Sequence, residues 1–546
     1  MSYFEDLWPR VKANLKSGIT VSLVSIPLSV SLAVASQTSP VVGIITAIWA
    51  GMMAGFFGGS NYNIVGPTGA LSGILAAFSI SQGAGSLSML AITSGIIVLI
   101  AFALKLERYM VFIPKSAVQG FTLGVAFVIG LNQMNSAFGL KVTAVHEKFI
   151  DNLGESFKNF GTISIGSTVV FIIFLIGLFI FAFTLPKLPG AIILTPPGIL
   201  LGYLSLKGHI PLTITTLGQK FPSMDARLFT SWPFKFNSKF IGASFTVAIV
   251  GILETMLSAK IADGMTKTKH NKSREMFGLA IANIVSGIFG GIPATSALAR
   301  TSLNIKTGAT DRISAVISSF SIIIISFILL PFFKYIPMAV IASILVFVAI
   351  RMVEIHEMII MFKHDLVSFF IAIAVGAITV YEDPIYGILF GTALSLILFM
   401  NKLSDGQYDI SVVKTAEQDF QKVAVEEDIS LDEEDKTLVY TFKGQLAYIN
   451  ALSHVNRFEK EIGSNRNIVL RLRELYTIDL DGIEAFDEII FTCKKNENNV
   501  CIAGASAAMI EKLRCSESFH DLESEGRIFE KTSEALRYFT SGPIEL

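Results

Sequence analysis

Charged residues are scarce in this sequence. They make up 16% of its 546 residues, whereas a soluble domain carries about 25%. Long apolar runs take their place, and several approach the length of about 20 residues that a helix needs to cross a bilayer. Examples are residues 18–35, 92–104, 169–185, 313–332 and 366–380. The scarcity of charge excludes an ordinary soluble protein and predicts a polytopic α-helical membrane protein embedded in a lipid bilayer.

Cysteine is also rare, and its placement is uneven. The three cysteines, Cys493, Cys501 and Cys515, all lie in the last quarter of the chain. An odd number without zinc-like spacing argues against a disulfide framework or a metal site and indicates reduced thiols in the cytosol. The formal net charge of −1 gives no indication of a nucleic-acid partner.

Catalytic and nucleotide-binding motifs are missing as well. The chain contains no Gly-x-Ser-x-Gly elbow and no Walker A loop. Without a phosphate-binding loop, ATP-driven pumping by this chain alone has no support. We therefore expect neither an enzyme nor a bound cofactor or metal.

The composition changes after Met400. The chain becomes charged, with an acidic stretch at residues 426–435 that we interpret as a solvated linker. Strand-like and helix-like segments then alternate, which predicts a small α/β domain. The predicted strands are residues 437–442, 467–473 and 500–504, and the predicted helices are residues 449–462, 483–493 and 506–513. We therefore predict a cytosolic N-terminal segment (residues 1–16), a transmembrane domain (17–402) and a cytosolic domain (405–546).

Basic residues indicate the orientation. The longest basic segment between apolar runs carries Lys260, Lys267, Lys269, Lys272 and Arg274, and the positive-inside rule assigns it to the cytoplasm. The apolar segments amount to about fourteen crossings or half-crossings, an even number. We therefore expect both termini in the cytosol and a multi-pass protein of the cell inner (plasma) membrane.

One interrupted phrase occurs twice. FFGGSNYNIVGPTGALSG (residues 56–73) and IFGGIPATSALARTS (residues 288–302) both run from Phe-Gly-Gly through a proline to small and hydroxyl residues. Irregular backbone is tolerated at membrane depth only where it is buried or lines a watery cavity. Paired, interrupted segments in two halves of a chain point to a transporter substrate site. The simpler alternative is a pair of kinked packing helices.

Each interruption is followed by a short segment, residues 68–80 in the first copy and 295–305 in the second. We expect these half-helices to begin at their prolines and to direct free N–H groups and positive dipole ends toward an anion. Hydroxyl groups would add donors, namely those of Thr68, Ser72, Thr295 and Ser296.

An isolated acidic residue, Glu254, lies in the apolar run FTVAIVGILETMLSAKIADG. An acid inside a span costs about 2.5–3.5 kcal/mol on insertion scales and is a functional candidate by default. Glu254 could carry a proton or hold a cation such as Na⁺. Thr255 and Ser258 lie within one turn of it and could join this coupling-ion site. The alternative is a helix-end glutamate near the cytosolic interface.

Arg300 lies about one turn beyond the start of the second half-helix. A cation there would raise the local potential for an anion. The alternative is an interfacial arginine that extends to the cytosol and anchors the helix.

These residues resemble the SulP family of inorganic anion transporters, the sulfate permease-like proteins related to pendrin and prestin. The resemblance lies in GILETMLSAKIADGMTKTKHNKSREMFGLAIANIVSGIFGGIPATSALARTSLNIKTGA (residues 251–309) and, in the first half, in SIPLSVSLAVASQTSP and FFGGSNYNIVGPTGA. The C-terminal domain resembles the STAS module. Together these segments extend the resemblance over nearly the whole chain.

The resemblance implies an inverted repeat of seven plus seven transmembrane segments, divided into core and gate domains. It also implies elevator-type alternating access and a homodimer. The anion site would lie between the third and tenth segments, here residues 68–80 and 295–305. The first segment would contribute Pro27, Leu28 and Ser29, the third Gly66, Pro67, Thr68 and Gly69, the eighth Glu254, and the tenth Ala294, Thr295, Ser296, Ala297 and Arg300.

Two positions depart from the family pattern. Many sulfate-type members carry Gln or Glu after the first-segment proline, but Leu28 stands here, as in some bicarbonate-type members. The STAS phosphorylation loop usually reads Asp, any residue, Ser or Thr, then Gly. Here Asp481 replaces the hydroxyl acceptor, which argues against phosphoregulation at this position. Asp481 could supply a fixed negative charge there, but we interpret it as a helix N-cap.

We predict a secondary active transporter of an inorganic oxyanion, with sulfate as the first candidate. H⁺ symport is the expected coupling, because Glu at position 254 resembles members thought to use protons, whereas Na⁺-driven bicarbonate members carry Asp there. The alternatives are a Na⁺-coupled bicarbonate transporter, a C4-dicarboxylate carrier, or an anion-binding membrane sensor that signals through STAS. The expected partners are the anion, the bilayer, a second copy of the chain and a possible cytosolic partner of the STAS domain.

Overall fold

The structure is a computed structural model that describes residues 2–142, 144, 146–185, 190–222, 237–382, 384–414, 436–461, 464 and 466–541. The acidic stretch at residues 426–435 lies outside the described residues. Internal contacts divide the chain into two compact units, Met1–Ser395 and Leu396–Leu546. The domain boundary near residues 402–405 stays a prediction.

The first unit consists of helices and one very short β-pair. Its helices are α1 Ser2–Ala35, α2 Pro40–Phe57, α3 Gly69–Gln82, α4 Leu87–Ala103, α5 Lys115–Leu131, α6 Met134–Phe138, α7 Phe149–Lys158, α8 Ile165–Thr184, α9 Gly190–Leu206, α10 Leu217–Lys220, α11 Ser238–Thr266, α12 Lys272–Ile288, α13 Leu298–Lys306, α14 Ile313–Phe333, α15 Met338–Met352, α16 Ile355–His364, α17 Leu366–Tyr381 and the first part of α18 Pro384–Ser404, which ends in the second unit. Strands β1 (Val65–Gly66) and β2 (Thr295–Ser296) pair in antiparallel fashion.

Most of these helices are apolar around their whole circumference, as expected where one face packs on protein and the other on lipid. Within the described residues, nine helical stretches are long and apolar enough to cross a membrane, and α3, α9 and α17 are shorter apolar helices. With α12 and the nine-residue α13, they form two sets of seven. The first set is α1–α5, α8 and α9, and the second is α11–α15, α17 and α18.

The two sets repeat each other's packing. Helix α1 packs on α14 as α11 packs on α4, and α4 packs on α12 as α14 packs on α2. The pairs α5 with α17 and α15 with α8 follow the same rule. When every helix is replaced by the helix at the same place in the other set of seven, each of these contacts becomes its partner contact. The short third helix of each set, α3 or α13, follows the interrupted phrase, so the predicted inverted repeat is confirmed.

The helices of this unit pack in two groups. Helices α1–α4 and α11–α14 contact one another and form the core group, whereas α5, α8, α9, α15 and α17 form the gate group. The groups meet where α1 contacts α9 and α15, and where α3 contacts α5. Small residues permit close approach inside the core group. A Cβ added at Gly43 of α2, for example, would lie 2.1 Å from the carbonyl oxygen of Ser29 in α1.

The second unit is a five-stranded sheet with helices. Its strands are β3 Gln407–Lys414, β4 Lys436–Leu446, β5 Asn467–Ile478, β6 Asn499–Ala503 and β7 Ile528–Phe529, and its helices are α19 Ala451–Glu461, α20 Leu480–Lys495, α21 Ala507–Leu513, α22 Glu517–Ser524 and α23 Thr532–Ser541. The strands lie in the order β3-β4-β5-β6-β7, with β3 antiparallel to β4 and the other pairs parallel. This confirms the predicted α/β domain.

Two details of this unit differ from the sequence prediction. Strand β3 was not predicted, because residues 407–414 follow directly on the last apolar helix and acquire their strand partner only by pairing with β4. The N-cap of α20 is Asp479, whose side chain accepts a hydrogen bond from the Gly482 N–H at 2.9 Å. Asp481 instead lies in the first turn of the helix, where its negative charge favours the positive end of the helix dipole. The N-cap prediction for Asp481 is therefore wrong.

A buried histidine lies at the edge of this sheet. His454 of α19 is fully buried, and its Nδ1 is 2.7 Å from the hydroxyl oxygen of Tyr440. The Tyr440 ring stacks on Tyr408 of β3, and the Arg457 guanidinium lies 3.6 Å from the Tyr408 ring centre. Burial, and secondly the charge of Arg457, lower the pKa of His454 to about 4. The imidazole is therefore neutral in the folded domain at physiological pH.

We predict that the second unit loses stability as the pH falls from about 6.5 toward 4. In that range the unfolded chain binds a proton at His454 and the folded chain does not, so the free energy of unfolding falls by up to about 3 kcal/mol. The measurement is hydrogen exchange of the β4 amides in the full-length protein, corrected for intrinsic rates. His454→Gln should remove this component, whereas His520→Gln, at an exposed position of α22, should keep it. The same pH dependence in both variants would contradict the assignment.

Candidate functional site

The two interrupted phrases meet in the centre of the first unit. Val65 of β1 pairs with Ser296 of β2, and Gly66 pairs with Thr295. Helix α3 begins at Gly69 with Thr68 as its N-cap, and α13 begins at Leu298 with Ala297 as its N-cap. The N-termini of α3 and α13 therefore both follow the short antiparallel pair of β1 and β2, which we call the crossing.

The structure corrects the predicted start of both half-helices. Residues 68–80 were expected to begin a helix at Pro67, but α3 begins two residues later and extends to Gln82. In the second copy α13 begins five residues after Pro293, because residues 295–296 form β2 first. The physical reason is the pairing of β1 with β2, which satisfies backbone groups that a helix would otherwise satisfy.

Glu254 of α11 joins the two interrupted segments. Its Oε2 accepts a hydrogen bond from the Thr68 hydroxyl at 2.9 Å and another from the Thr295 hydroxyl at 3.0 Å. Thr68 belongs to the first half of the chain and Thr295 to the second. Helix α11 continues to Thr266, so Glu254 is not a helix-end residue at an interface.

Arg300 of α13 is buried beside the crossing and does not lie at a membrane interface. Its side chain is among the largest fully buried ones, at 1% exposure, and its Nη2 donates a hydrogen bond to the carbonyl oxygen of Pro67. A Cβ at Gly66 would lie 2.6 Å from Nη1, so a larger residue at this position would displace the end of the Arg300 side chain. Nε and Nη1 have no hydrogen-bond partner within the described part of the chain. Buried guanidinium N–H groups without partners are available to an anion.

The two hydroxyl residues predicted beside Glu254 hold the second strand in place. The Thr255 hydroxyl accepts a hydrogen bond from the Ser296 N–H at 3.1 Å and donates to the Thr295 hydroxyl at 3.3 Å. The Ser258 hydroxyl lies 3.1 Å from that of Ser296 and 3.0 Å from the Asn63 side-chain oxygen. These contacts position β2, and the participation of Thr255 and Ser258 in ion coupling stays a prediction.

The first-segment residues lie in the C-terminal third of α1, which packs against both α3 and α13. Pro27, Leu28 and Ser29 are all buried. The Ser29 hydroxyl has no hydrogen-bond partner among the residues that the structure describes, which leaves it available to a ligand. Pro27 lines a different, apolar cavity on the α9 and α14 side of α1.

Residues outside the predicted set support the crossing. Glu275 of α12 is 3% exposed, and its Oε2 accepts the N–H groups of Gly59 and Ser60, both at 2.7 Å. Its Oε1 accepts the Asn63 amide at 2.6 Å, which ties the loop before β1 to α12. The Asn283 side chain accepts from the Ala294 N–H at 2.8 Å and donates to the Ala294 carbonyl at 2.9 Å.

Glu275 was not predicted as a site residue, because it ends the basic connecting segment and resembles that segment in polarity. The signal that could have revealed it is its position at the start of an apolar helix, directly before MFGLAIANIVSG. Asn283, in the middle of that run, carries the same signal, since a polar residue in a buried helix is normally hydrogen-bonded.

A cavity of about 1020 Å³ borders the N-terminal turns of α3. Its inner wall includes Ala70 and Gly73 of α3 and Val128 and Ile129 of α5, so it lies between the core and gate groups. Its charged lining residues are Lys141, Lys148, Lys220 and Lys239 together with Glu147 and Glu382. Four lysines against two carboxylates give the lining a net positive charge, which favours the approach of anions to the crossing.

Comparison with known proteins follows the division of the chain. The model of the sulfate permease family matches residues 11–375, and the STAS-domain model matches residues 428–535. The chain is 29% identical over 524 residues to the Bacillus subtilis (strain 168) protein named "Putative sulfate transporter YvdB", and the match covers 94% of this chain and 95% of that protein.

Solved structures with this fold include two with informative coverage. Murine Slc26a9, described as an anion transporter in the inward-facing state, matches with a TM-score of 0.80 at 14% identity over 97% of this chain and 92% of that chain. The transmembrane domain of a cyanobacterial bicarbonate transporter, BicA, matches with a TM-score of 0.60 at 19% identity over 70% of this chain and 97% of that chain. At these identities the two matches show the fold.

We predict that Glu275→Gln destabilises the protein. A glutamine offers one acceptor oxygen, whereas the carboxylate here accepts from three N–H donors with two oxygens. One buried donor therefore faces the amide NH₂, at a cost of about 1–3 kcal/mol. The melting temperature of the detergent-solubilised protein, followed by tryptophan fluorescence, should fall by several degrees. The control is Glu147→Gln at an exposed surface carboxylate, and an equal effect in both variants would refute the role of Glu275.

Proposed function

Because the chain belongs to the sulfate permease family, we propose that it is a secondary active transporter that carries sulfate across the membrane together with H⁺ by an elevator-type mechanism. The observation that carries this proposal is the Glu254 carboxylate, which is bonded to Thr68 and Thr295 beside the buried Arg300. It combines an anion-binding and a proton-binding group at one crossing.

The site has the donors that an oxyanion requires. The N-termini of α3 and α13 supply positive dipole ends and free N–H groups. Arg300 supplies a buried cation with N–H groups that have no partner among the described residues. A tetrahedral oxyanion can accept bonds from both sources at once, because its oxygens point in several directions. These groups support a small, multiply charged inorganic anion as substrate.

The position of Glu254 supports the proposal of proton coupling. An anion bound at the helix N-termini would stand close to the carboxylate and would be repelled by it while it is ionised. Protonation of Glu254 removes this repulsion, so anion and proton each favour the binding of the other. A neutral carboxyl group can also keep its hydrogen bonds with Thr68 and Thr295, because its oxygens still accept.

Elevator-type movement is supported by the grouping of the helices. The crossing is built from α1, α3, α11 and α13 with their strands, all of which belong to the core group. The cavity of about 1020 Å³ borders α3 on one side and α5 of the gate group on the other. A displacement of the core group relative to the gate group would carry the whole site and change the side from which it is reached.

The basic segment between α11 and α12 supports a cytosolic location of both termini in the cell inner membrane. A homodimer is also part of the proposal, as is a STAS domain that contacts a cytosolic partner. The side chain of Asp481 cannot accept a phosphoryl group as a serine or threonine would, so such regulation would not use this position.

A second candidate function is Na⁺-coupled bicarbonate transport. Leu28 favours it, since the position after Pro27 carries a polar residue in many sulfate-type relatives. In that case Glu254 would serve as a cation ligand together with the hydroxyl groups around it.

The test is uptake of labelled sulfate, bicarbonate and succinate by proteoliposomes under an inward H⁺ gradient or an inward Na⁺ gradient. Sulfate accumulation driven by H⁺ would support the proposal. Bicarbonate accumulation driven by Na⁺ would replace it by the second candidate. Succinate uptake would indicate a C4-dicarboxylate carrier, and anion binding without any uptake would favour a sensor that signals through STAS.

We predict that Glu254→Gln separates binding from coupling. The amide preserves the size and the acceptor oxygen of the side chain but cannot exchange a proton. Sulfate counterflow between loaded and unloaded vesicles should persist, whereas accumulation driven by an H⁺ gradient should be lost. Glu354→Gln, in which a carboxylate bound to Gln119 of the gate group is changed, serves as the control. Normal accumulation with an unchanged pH profile in Glu254→Gln would refute the proton role.

We predict that Gly66→Ala weakens anion binding about tenfold or more. The new methyl group would lie 2.6 Å from Nη1 of Arg300, so the guanidinium must leave its place, and displaced buried donors cost about 1–3 kcal/mol. The matched control is Gly251→Ala in α11, where the nearest atom to the added Cβ lies 3.9 Å away. Equal sulfate affinities in the two variants would remove Arg300 from the site.

A further inference from the structure

A second cavity, of about 790 Å³, lies on the other side of α1 from the crossing. Three helices line it, each with one stripe of side chains at helical spacing. The stripes are Leu23, Ile26, Pro27 and Val30 of α1, Ile192, Thr195, Pro196, Ile199, Leu200 and Tyr203 of α9, and Ile325, Leu329, Phe332 and Phe333 of α14, and Tyr335 and Ile336 follow α14. Since α1 and α14 belong to the core group and α9 to the gate group, the cavity lies on the boundary between them.

The sequence of α9 explains why space remains here. Pro196 and Pro197 lie inside the helix, where each proline removes a backbone N–H donor and disturbs the regular helix. Beside them, α9 approaches its neighbours through glycine. A Cβ at Gly202 would lie 1.9 Å from the carbonyl oxygen of Tyr335. The helix is therefore held tightly at Gly202, while its cavity stripe leaves space against the stripes of α1 and α14.

The lining is unsuitable for water. Of the sixteen lining residues, only Thr195, Tyr203 and Tyr335 carry a polar side-chain atom, and the Thr195 hydroxyl already donates to the Ala191 carbonyl at 2.6 Å. A buried water needs 2–4 polar partners, and apolar cavities stay dry or take up apolar molecules. An empty cavity of this size would forfeit dispersion contacts along its whole wall.

The mouth of the cavity continues the lipid-facing surface. Leu200, Tyr203 and Phe332 are 58%, 38% and 49% exposed. Next to them on α14, Phe327 and Ile328 are 86% and 62% exposed, as expected for a helix face that contacts hydrocarbon. The medium that reaches the mouth is therefore the acyl region of the bilayer.

A basic group lies beside the lining residue Tyr335. The Lys334 ammonium lies 5.1 Å from the centre of the Tyr335 ring, and Tyr335 is a lining residue. Lysine and tyrosine at the end of a span are typical of the membrane interface, where phosphate groups lie. The arrangement of an apolar slot with a cation at its outer end is complementary to a phospholipid, which has an acyl chain below an anionic phosphate.

We propose that this cavity is a binding site for one acyl chain of an anionic membrane phospholipid, with the lipid phosphate beside Lys334. The chain fills the space between α1 and α14 of the core group and α9 of the gate group. Any displacement of the two groups would change the shape of this site. This last consequence rests on the proposed elevator mechanism, whereas the binding of the chain does not.

The test is photo-crosslinking of the full-length protein in vesicles that contain phosphatidylglycerol with a diazirine in its acyl chain. We expect adducts on the cavity stripes of α9 and α14. Ile199→Trp fills the slot and should reduce these adducts about tenfold, since a packed cavity leaves no space for a second group. Ile199→Phe should give an intermediate loss, which keeps the test valid if the tryptophan variant does not fold. The control is Ile176→Trp, because Ile176 lies on an outward face of α8 and is 53% exposed.

Equal adduct yields in Ile199→Trp and Ile176→Trp would show surface lipid only and would overturn the proposal. A phosphatidylcholine probe with the same acyl chain should label the stripes less than phosphatidylglycerol does, and Lys334→Gln should remove that difference. Equal labelling by the two probes in the wild type would overturn the headgroup assignment. Because crosslinking needs no transport, a wild-type protein that labels but does not take up sulfate would refute the proposed function and leave this site in place.

Discussion

The hydrogen bonds of the Glu254 carboxylate with Thr68 and Thr295 are the contacts on which the centre of the membrane unit depends. They join a residue of each half of the chain to a third helix, at the point where both halves are interrupted. An ionisable group at this depth is costly unless it is hydrogen-bonded. The two hydroxyl donors and the nearby buried guanidinium of Arg300 meet that requirement. In the proposed function, Arg300 would bind the anion and Glu254 the proton, so the same groups would stabilise the structure and carry out transport.

Around this contact, a second set of buried polar side chains keeps irregular backbone in place. Glu275 holds the loop before β1, and Asn283 holds Ala294 just before β2. Non-helical backbone inside a membrane protein must find partners within the protein, since lipid offers none. The N-termini of α3 and α13 can then remain without backbone partners and can be used by a ligand. One network of buried polar side chains therefore both supports the crossing and leaves the N-termini of α3 and α13 accessible.

The boundary between the core and gate groups is packed differently from the core group itself. Inside the core group, small residues such as Gly43 let helices touch. At the boundary lie two cavities, one beside the N-terminus of α3 and lined by more lysines than carboxylates, the other apolar. Cavities at this boundary are compatible with the relative movement of the groups in the proposed elevator mechanism. Pro27, a predicted site residue, lines the apolar cavity, so a lipid chain bound there as proposed would contact it.

The sequence by itself determined the membrane character, the two halves, the interrupted segments, the isolated Glu254 and the α/β nature of the C-terminal domain. All of these depend on composition, on apolar run length or on a phrase that repeats along the chain. The tertiary structure alone decided which groups meet. Thr68 and Glu254 are 186 positions apart, and no local pattern shows that their side chains touch. The start of α13 five residues after its proline, the close approach of Gly66 to Arg300 and the role of Glu275 likewise depend on pairing between distant segments. Local sequence sets which structures a segment can form, and partners from the other half of the chain select among them.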